Sequence, residues 1–437
     1  MTARRSILKA LLGLSLVPSI ASWSGRAWSA AEDLVVIWGG TGFNVQFDEI
    51  KVKLPLIRES LESNNQSNWY QWRVKASDAL KKYFRGEVIS SPEEKISTRG
   101  DLRLILSVGF DYENFTQLLV PEGQLGQEAK DAGLDTKDIS YYYLFSSIRT
   151  YSVKLSRNGG GQVTLVYSKP IKAAGETLLL KGSVQARNKF ILNTLMGERK
   201  ATTLQKFAGL ASELALKEAD VFSPPKHLRV RSVTFSAQAR NELATIKLDR
   251  VFNENLFASV AGVSVNEAFG SSVIPFVVTD YLGRTLANRF KQEQDMNEIF
   301  QNMEKSELAS MFIDLNVSKV LRKISGETPS LQQIARGFAV DIGFYDVERG
   351  SEIFRTKLVR VEKREQAKGA AEEAYYRGND SVGFYELLDT MMSSFFQGVA
   401  RNDRVTLKQS GVRDKDASDN QIKALASSLE ETRYGEA

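Results

Sequence analysis

The sequence contains no cysteine and a single histidine among its 437 residues. Without cysteine, the chain can form no disulfide, no thiolate metal site and no thiol nucleophile. With His227 alone it cannot build a zinc site from several histidines, and a Ser-His-Asp triad is open only through that residue. His227 follows Pro224-Pro225 in the predicted linker between two halves of the chain, where we expect it to be exposed. Most histidine and cysteine chemistry is therefore excluded.

Catalysis by paired carboxylates needs neither residue type, so it stays open. Three acid pairs stand close together in the sequence: Asp111 with Glu113, Asp346 with Glu348, and Glu372 with Glu373. Each pair falls at a predicted strand end or in a predicted loop, where we expect solvated carboxylates. The sequence therefore favours a protein that is not an enzyme, and it indicates no catalytic residue, no metal ligand and no cofactor.

The first 31 residues have the order of an export signal. Arg4-Arg5 precedes an apolar run that is too short to span a membrane, and Ser29-Ala30-Ala31 offers a small-residue cleavage site. We expect twin-arginine-like export to the periplasm, without a stable transmembrane anchor. The general secretory route and an uncut signal anchor are the alternatives.

The charge balance changes when this leader is removed. The leader holds four basic residues and no acid, so 54 basic residues face 53 acidic ones in the rest of the chain. A nearly neutral chain gives no reason to expect nucleic acid as a partner.

The clearest secondary-structure signal is a β-hairpin in the second half. Apolar residues alternate with other residues from Phe338 to Phe344, which is the period of a half-buried strand. The following turn contains Asp346, which can bond to nearby backbone, and Gly350, which can adopt a positive φ. A return strand then continues to Val361.

Both halves show the same predicted order, β-α-β-β-β-α. The first half has strands at 34–38, 102–110, 141–155 and 162–167, with helices at 69–84 and 203–222; the second has strands at 228–235, 311–321, 338–344 and 353–361, with helices at 277–290 and 385–400. We predict an α/β (α+β) fold of two tandem βαβββα-type domains with mixed, mostly antiparallel sheets, derived from a diverged duplication.

The predicted boundaries follow from this order. Residues 1–31 are the export signal, 32–223 the first domain, 224–400 the second domain, and 401–437 a polar tail that is partly disordered. Within the tail, one short helix is predicted at 422–429.

Aromatic residues cluster at three places. They are Trp69 and Trp72, Tyr141, Tyr142 and Tyr143, and Tyr375 and Tyr376. Core packing and sheet propensity account for such clusters, and the alternative is a surface for protein docking or sugar stacking. Because successive strand residues point to opposite faces, the three consecutive tyrosines must divide between the two faces. We take all seven as a candidate interaction surface.

One part of the second half resembles a known family. The segment 282–290 and the hairpin 340–356, with its Phe-Tyr-Asp-Val-x-x-Gly turn, resemble the α/β domain found in CsgG and at the amino terminus of TolB. They are also similar to the middle domain of the flagellar ring protein FlgT. The lipid-anchor cysteine of CsgG and the propeller repeats of TolB are absent. The resemblance implies an accessory role in an envelope machine, with no active site to carry over.

Together these observations predict a non-enzymatic periplasmic structural or assembly protein, accessory to a secretion, outer-membrane or motility complex. The expected partners are envelope proteins, and docking at the outer membrane or assembly into a homo-oligomer or ring stays open. The alternatives are a carboxylate-based hydrolase of cell wall or glycan and a ligand-binding module between the halves.

Overall fold

The computed structural model describes residues 35–64, 67–84, 86–90, 102–118, 137–155, 161–180, 182–198, 201–215, 226–279, 307–367, 373–413 and 417–434. The predicted export signal lies outside these residues, as does most of the predicted helix at 277–290. Within the described ranges, no helix is long and apolar enough to cross a membrane.

The first half folds into a mixed sheet with its own helices. The strands are β1 (Val35–Phe43), β2 (Glu87–Ile89), β3 (Leu102–Leu118), β4 (Lys137–Leu155) and β5 (Gly161–Leu180). Their order is β2-β1-β3-β4-β5, in which β1 is parallel to β2 and β3, and β3 to β5 form an antiparallel meander. The helices are α1 (Ile50–Lys53), α2 (Pro55–Glu62), α3 (Ser67–Tyr83), α4 (Val184–Met196) and α5 (Thr203–Ala215).

The second half repeats this strand arrangement. The strands are β6 (Leu228–Phe235), β7 (Val273–Ile274), β8 (Met311–Glu327), β9 (Leu331–Asp346) and β10 (Ser351–Ala367). The order β7-β6-β8-β9-β10 has the same parallel and antiparallel pairs as the first sheet. The helices are α6 (Ala237–Thr245), α7 (Glu254–Phe269), α8 (Glu373–Ala400), α9 (Arg404–Ser410) and α10 (Asp419–Glu430). The predicted α/β fold of two tandem domains with mixed sheets is confirmed, while the duplication stays a prediction.

The predicted hairpin is confirmed in detail. It joins β9 to β10, and Gly350 has a φ of 61° at the turn. The Asp346 carboxylate accepts a hydrogen bond from the backbone N–H of Arg349 at 2.9 Å. The helices match less well, because α1, α2, α4, α6, α7 and α9 were not predicted, and residues 277–279 are not helical.

The first domain has its own core beneath its helices, and a second core is shared between the two domains. Helices α7 and α8 lie between the two sheets, and the cluster around them includes Tyr112 and Phe145 of the first sheet. The ring of Tyr143 packs on the ring of Tyr385 with centroids 4.1 Å apart. Residues of the first domain thus complete the core of the second.

The segment after Ala400 is ordered over its described residues, so the expected disordered tail is wrong there. Five of its apolar side chains are buried in the shared core: Leu407, Val412, Ile422, Leu425 and Leu429. Asp403 caps α9 through the N–H of Val405, and Ser418 caps α10 through the N–H of Gln421. The polar composition belongs to the solvent-facing sides of two amphipathic helices, which a count of polar residues cannot distinguish from disorder.

We expect Leu425→Ala to lower the free energy of unfolding by about 2 to 5 kcal/mol, because it leaves a cavity in the core. Val405→Ala is the matched control on α9, where the side chain is 68% exposed, and it should change this free energy by less than about 0.5 kcal/mol. Urea denaturation measures both. Equally small effects would show that the C-terminal helices are not part of the core.

Candidate functional site

The outer strands of the two sheets are protected to different degrees. Strands β2 and β7 have three and two residues. On β10, the N–H of Val359 donates to the carbonyl of Gly411 at 3.2 Å, and the far end carries charged residues from Glu362 to Glu365. Short strands, covering segments and charged side chains all blunt a sheet edge. Strand β5 has 20 residues and is the long edge of the first sheet.

Pro170 shows which backbone groups of β5 face outward. Proline has no N–H, so its nitrogen must face the free side of an edge strand. Ser168 lies two residues before Pro170 and therefore orients its backbone groups to the same side. Its N–H points away from β4 and donates to Ser272 Oγ at 2.9 Å. The register with β4 is regular from Ser168 to Leu180, and the N–H and C=O of one residue point to the same side. Ala174 and Glu176 therefore also direct both backbone groups outward.

A groove with a volume of about 1300 Å³ runs along this open segment. Residues 174–177 of β5 form one side, and α4 with the first turns of α3 forms the other. The amide and charged side chains that line it, with two of each charge, are Asn64, Asn68, Gln71, Gln185, Asn188, Asn193, Lys75, Lys189, Glu176 and Glu198, and hydroxyl and apolar side chains line the rest. The groove is therefore of mixed polarity, without a net charge from its lining.

Local contacts fix the wall opposite β5. A Cβ at Gly175 would lie 2.5 Å from Thr194 Oγ1 and 2.7 Å from the Phe190 ring, so only glycine lets α4 approach this closely. Ser183 caps the start of α4, accepting a hydrogen bond from the N–H of Ala186 at 3.2 Å. Lys75 Nζ on α3 donates to the carbonyl of Met196 at the end of α4 at 3.2 Å.

Two of the seven aromatic candidates are core residues, and for these the prediction of a surface role is wrong. Trp72 is 1% exposed, and its Nε1–H donates to Thr41 Oγ1 at 2.6 Å. Tyr142 is fully buried, and its hydroxyl donates to Glu113 Oε2 at 2.8 Å. Both rings fill the core while their single polar groups find partners inside it.

The other five candidates are not brought together by any described contact. Tyr143 is part of the domain interface, where it contacts Tyr385. Trp69 is half-buried against Phe43, and Tyr141 is half-buried on β4. The side chains of Tyr375 and Tyr376 lie outside the described part of the chain. A surface role for Trp69, Tyr141, Tyr375 and Tyr376 stays a prediction.

The structure separates Asp111 from Glu113. Asp111 is the extra residue of a β-bulge between Phe110 and Tyr112, and its Oδ1 accepts hydrogen bonds from Asn44 Nδ2 at 2.5 Å and Ser147 Oγ at 3.3 Å. This side of the sheet faces the second domain. Glu113 points to the opposite side, where it accepts from the backbone N–H groups that begin α2. The two carboxylates therefore cannot flank one bond.

Both carboxyl groups also differ from the expected solvated acids. Burial raises the pKa of Asp111 to about 7, against the opposing hydrogen bond from Asn44 and the charge of Arg149. Burial also raises the pKa of Glu113 to about 7, against the hydrogen bond from Tyr142. The sequence missed this because it could not show that β3 continues to Leu118 inside the sheet.

The other acid pairs have structural roles or lie outside the described side chains. Asp346 holds the hairpin turn, and exposed Glu348 pairs with Lys226 at 3.0 Å. Nothing is described for the side chains of Glu372 and Glu373. Among the described residues, no three His, Cys, Asp or Glu side chains are placed to hold a metal ion.

A buried ion pair connects the two domains. Arg149 Nη1 of β4 donates to Glu307 Oε1 at 2.8 Å, and both side chains are almost fully buried. The hydroxyl of Tyr151 also donates to Glu307, and Arg149 Nη2 donates to Asn44 Oδ1 at 2.9 Å. Replacing one partner would leave the other charge buried and unpaired, so both residues are needed at this point of contact between the domains.

His227 is buried, so the expected exposed linker histidine is wrong. It is 6% exposed, with Nδ1 2.8 Å from Ser272 Oγ and Nε2 3.0 Å from the carbonyl of Leu165. Since a carbonyl can only accept, Nε2 carries the proton and Nδ1 accepts from Ser272. Burial lowers the pKa of His227, which keeps the ring neutral. Its position joins the start of β6 to β5 of the first domain.

Comparisons with known proteins show only remote similarity. No protein-family model matches the sequence, and no curated protein matches it. Solved structures that match include a minor lipoprotein from Acinetobacter baumannii, with 11% identity, 40% of this chain and 92% of that chain covered, and a TM-score of 0.20. A hypothetical protein from Chlamydia trachomatis matches with 12% identity over 43% of this chain and 94% of its own, also at a TM-score of 0.20.

A Xanthomonas campestris protein of the family DUF330 matches with 8% identity, 42% and 86% coverage of the two chains, and a TM-score of 0.17. Similarity at this level carries no argument about function. The matches include no TolB or FlgT protein, so that resemblance stays a prediction.

We expect the stability of the protein to fall as pH rises from about 4 to about 7. In the unfolded chain Asp111 and Glu113 lose their protons near their ordinary pKa values of 3.8 and 4.5, whereas the folded protein holds both until about 7. Their stabilising contribution is complete below pH 4 and is lost as pH rises through 7. The slope is about 1.4 kcal/mol per pH unit for each group in this window.

Asp111→Asn should reduce this slope by about half, because asparagine does not titrate. Asp78→Asn, at an exposed position of α3, is the control and should leave the slope unchanged. Urea denaturation at a series of pH values measures the slope. An identical slope in the wild type and the Asp111 variant would contradict the burial of this carboxyl.

Proposed function

We propose that the protein is a non-enzymatic structural or assembly protein of the bacterial cell envelope, which acts in the periplasm through protein–protein contacts. The observation that carries this proposal is the placement of the acids Asp111 and Glu113 on opposite sides of one sheet, each in a structural hydrogen-bond network. The two carboxylates that the sequence suggested as catalytic groups of a hydrolase thus stabilise the fold instead.

The rigid union of the two domains gives further support. Cross-domain contacts include the Arg149–Glu307 pair, the Lys172–Asp389 pair at 2.8 Å and the stacked rings of Tyr167 and Tyr434 at 4.3 Å. A cleft enzyme often closes its domains around substrate, which such contacts would oppose. A fixed two-domain body suits a component that holds partners at set positions.

The predicted export signal supports a periplasmic location, and the proposed partners are proteins of a secretion, outer-membrane or motility complex. Assembly into a homo-oligomer or ring is compatible with this role. A cofactor has no part in it.

Photo-crosslinking in living cells tests the proposal. Probes belong at exposed Gln185 beside the groove, at exposed Val359 on β10, and at Val52 as a control on α1. We expect one dominant envelope protein to crosslink from at least one of the first two positions and not from Val52. A similar, diffuse pattern from all three positions would contradict the proposal.

A digestion assay tests the enzymatic alternative. The groove contains two carboxylates, Glu176 and Glu198, so Glu176→Gln and Glu198→Gln are the variants to compare with the wild type. We expect no release of fragments from purified cell wall by any of the three proteins. Release by the wild type that either substitution abolishes would overturn the non-enzymatic assignment.

A further inference from the structure

We infer that the groove along β5 binds an extended peptide segment of a partner protein, which adds a strand to the first sheet. The inference rests on the proposed function and deepens it, because it names the form in which the partner is recognised. The peptide would pair with the outward backbone groups of Ala174 and Glu176. Main-chain hydrogen bonds supply the affinity in this mode of recognition, and side-chain pockets supply the specificity.

The open backbone of β5 is the first argument. Backbone orientation alternates along the strand, so Ala174 and Glu176 direct their N–H and C=O groups away from β4, as Ser168 does. Two residues apart on one strand, these groups are about 6.6 Å from each other, which is the repeat that a neighbouring strand presents. Within the described ranges, no backbone hydrogen bond occupies this side of residues 174–177.

The protection of the rest of β5 is the second argument. Near the domain interface, Ser168 bonds to Ser272 and to the carbonyl of Val273, and Pro170 removes a donor. Lys172 is held by Asp389 of the second domain. Beyond that point the segment 174–178 has neither proline nor lysine, and Glu176 is its one charged residue. Protection is therefore weaker where the groove begins.

The lining of the groove favours a peptide as the occupant. Ala174 and Gly175 leave the edge backbone accessible, because neither has a side chain beyond Cβ. Amide side chains on the opposite wall can donate to and accept from a second peptide backbone. Val184, 52% exposed at the start of α4, lines the groove and offers contact to an apolar side chain. Balanced charge in the lining imposes no strong charge on the peptide.

The experiment begins with a random decapeptide library displayed on phage and selected on the purified protein. The most enriched peptide is then synthesised and its affinity is measured by isothermal calorimetry. Ala174→Pro is the informative variant, because it removes one outward N–H at a position whose backbone nitrogen faces the same side as that of Pro170. Ala174→Ser is the matched control that keeps this N–H. We expect Ala174→Pro to weaken binding at least tenfold and Ala174→Ser to weaken it less than twofold.

Hydrogen exchange locates the peptide on the sheet. A saturating concentration should slow exchange of the Ala174 and Glu176 amides at least tenfold and leave Gly175 and Thr177 unchanged, since the latter two N–H groups face β4. The melting temperature of Ala174→Pro should stay within a few degrees of the wild type, whereas Thr177→Pro should lower it because it removes a bond to β4. These results distinguish loss of binding from loss of folding.

Three outcomes would overturn the inference: no enriched peptide, equal affinity for Ala174→Pro and the wild type, or protection of amides elsewhere. Binding of cell-wall glycan fragments in the groove without slower exchange at Ala174 and Glu176 would overturn it as well. A partner that crosslinks from Val359 but not from Gln185 would refute the peptide site and leave the envelope assembly role intact. Cell-wall hydrolysis would refute that role itself.

Discussion

The placement of α7 and α8 between the two sheets is the constraint on which the rest of the structure depends. These helices bury one face against each sheet, so the core of the second domain is completed by residues of the first, which also has a separate core beneath its own helices. The buried pair of Arg149 and Glu307 adds a direct contact between the first sheet and the second domain. The first domain cannot move independently while these contacts persist.

This union also decides which sheet edge stays open. The second domain covers β5 around Ser168 and holds Lys172, whereas the far part of the strand extends past the interface. Gly175 admits α4 beside that far part, and the helix forms the second wall of the groove. The open edge is thus a consequence of how two similar sheets share one helical layer. Over the described residues, this accessible segment of β5 on a body of two joined domains fits the proposed recognition of a partner.

Alternating apolar residues were sufficient to predict the α/β class and eight of the ten described strands, since burial of one sheet face produces this alternation, whereas the short strands β2 and β7 were not predicted. The hairpin turn was predictable because Asp346 and Gly350 have local roles. Helix α4 was missed although Ser183 is an N-cap and Phe190, Ile191 and Leu195 form an apolar stripe. The edge position of β5 was also indicated by the sequence, because proline within a strand, here Pro170, is typical of an edge strand.

Other features depend on contacts that no local pattern records. The burial of His227 and of the Asp111 carboxyl arises from the packing of one domain on the other, and neither residue has a sequence neighbourhood that indicates it. The same holds for Trp72 and Tyr142, whose aromatic clusters suggested a surface. Predicting the groove would have required the knowledge that β5, α3 and α4 lie side by side, which the order of these elements in the sequence does not show.

Differential scanning calorimetry of the whole protein tests the central claim most directly, namely that the two domains form one cooperative body. Proteins of several domains commonly unfold in more than one step, so cooperative behaviour is informative here. The shared core predicts a single transition whose calorimetric enthalpy equals its van't Hoff enthalpy. Two separate transitions, or a calorimetric enthalpy well above the van't Hoff value, would show that the domains unfold independently and would contradict the account.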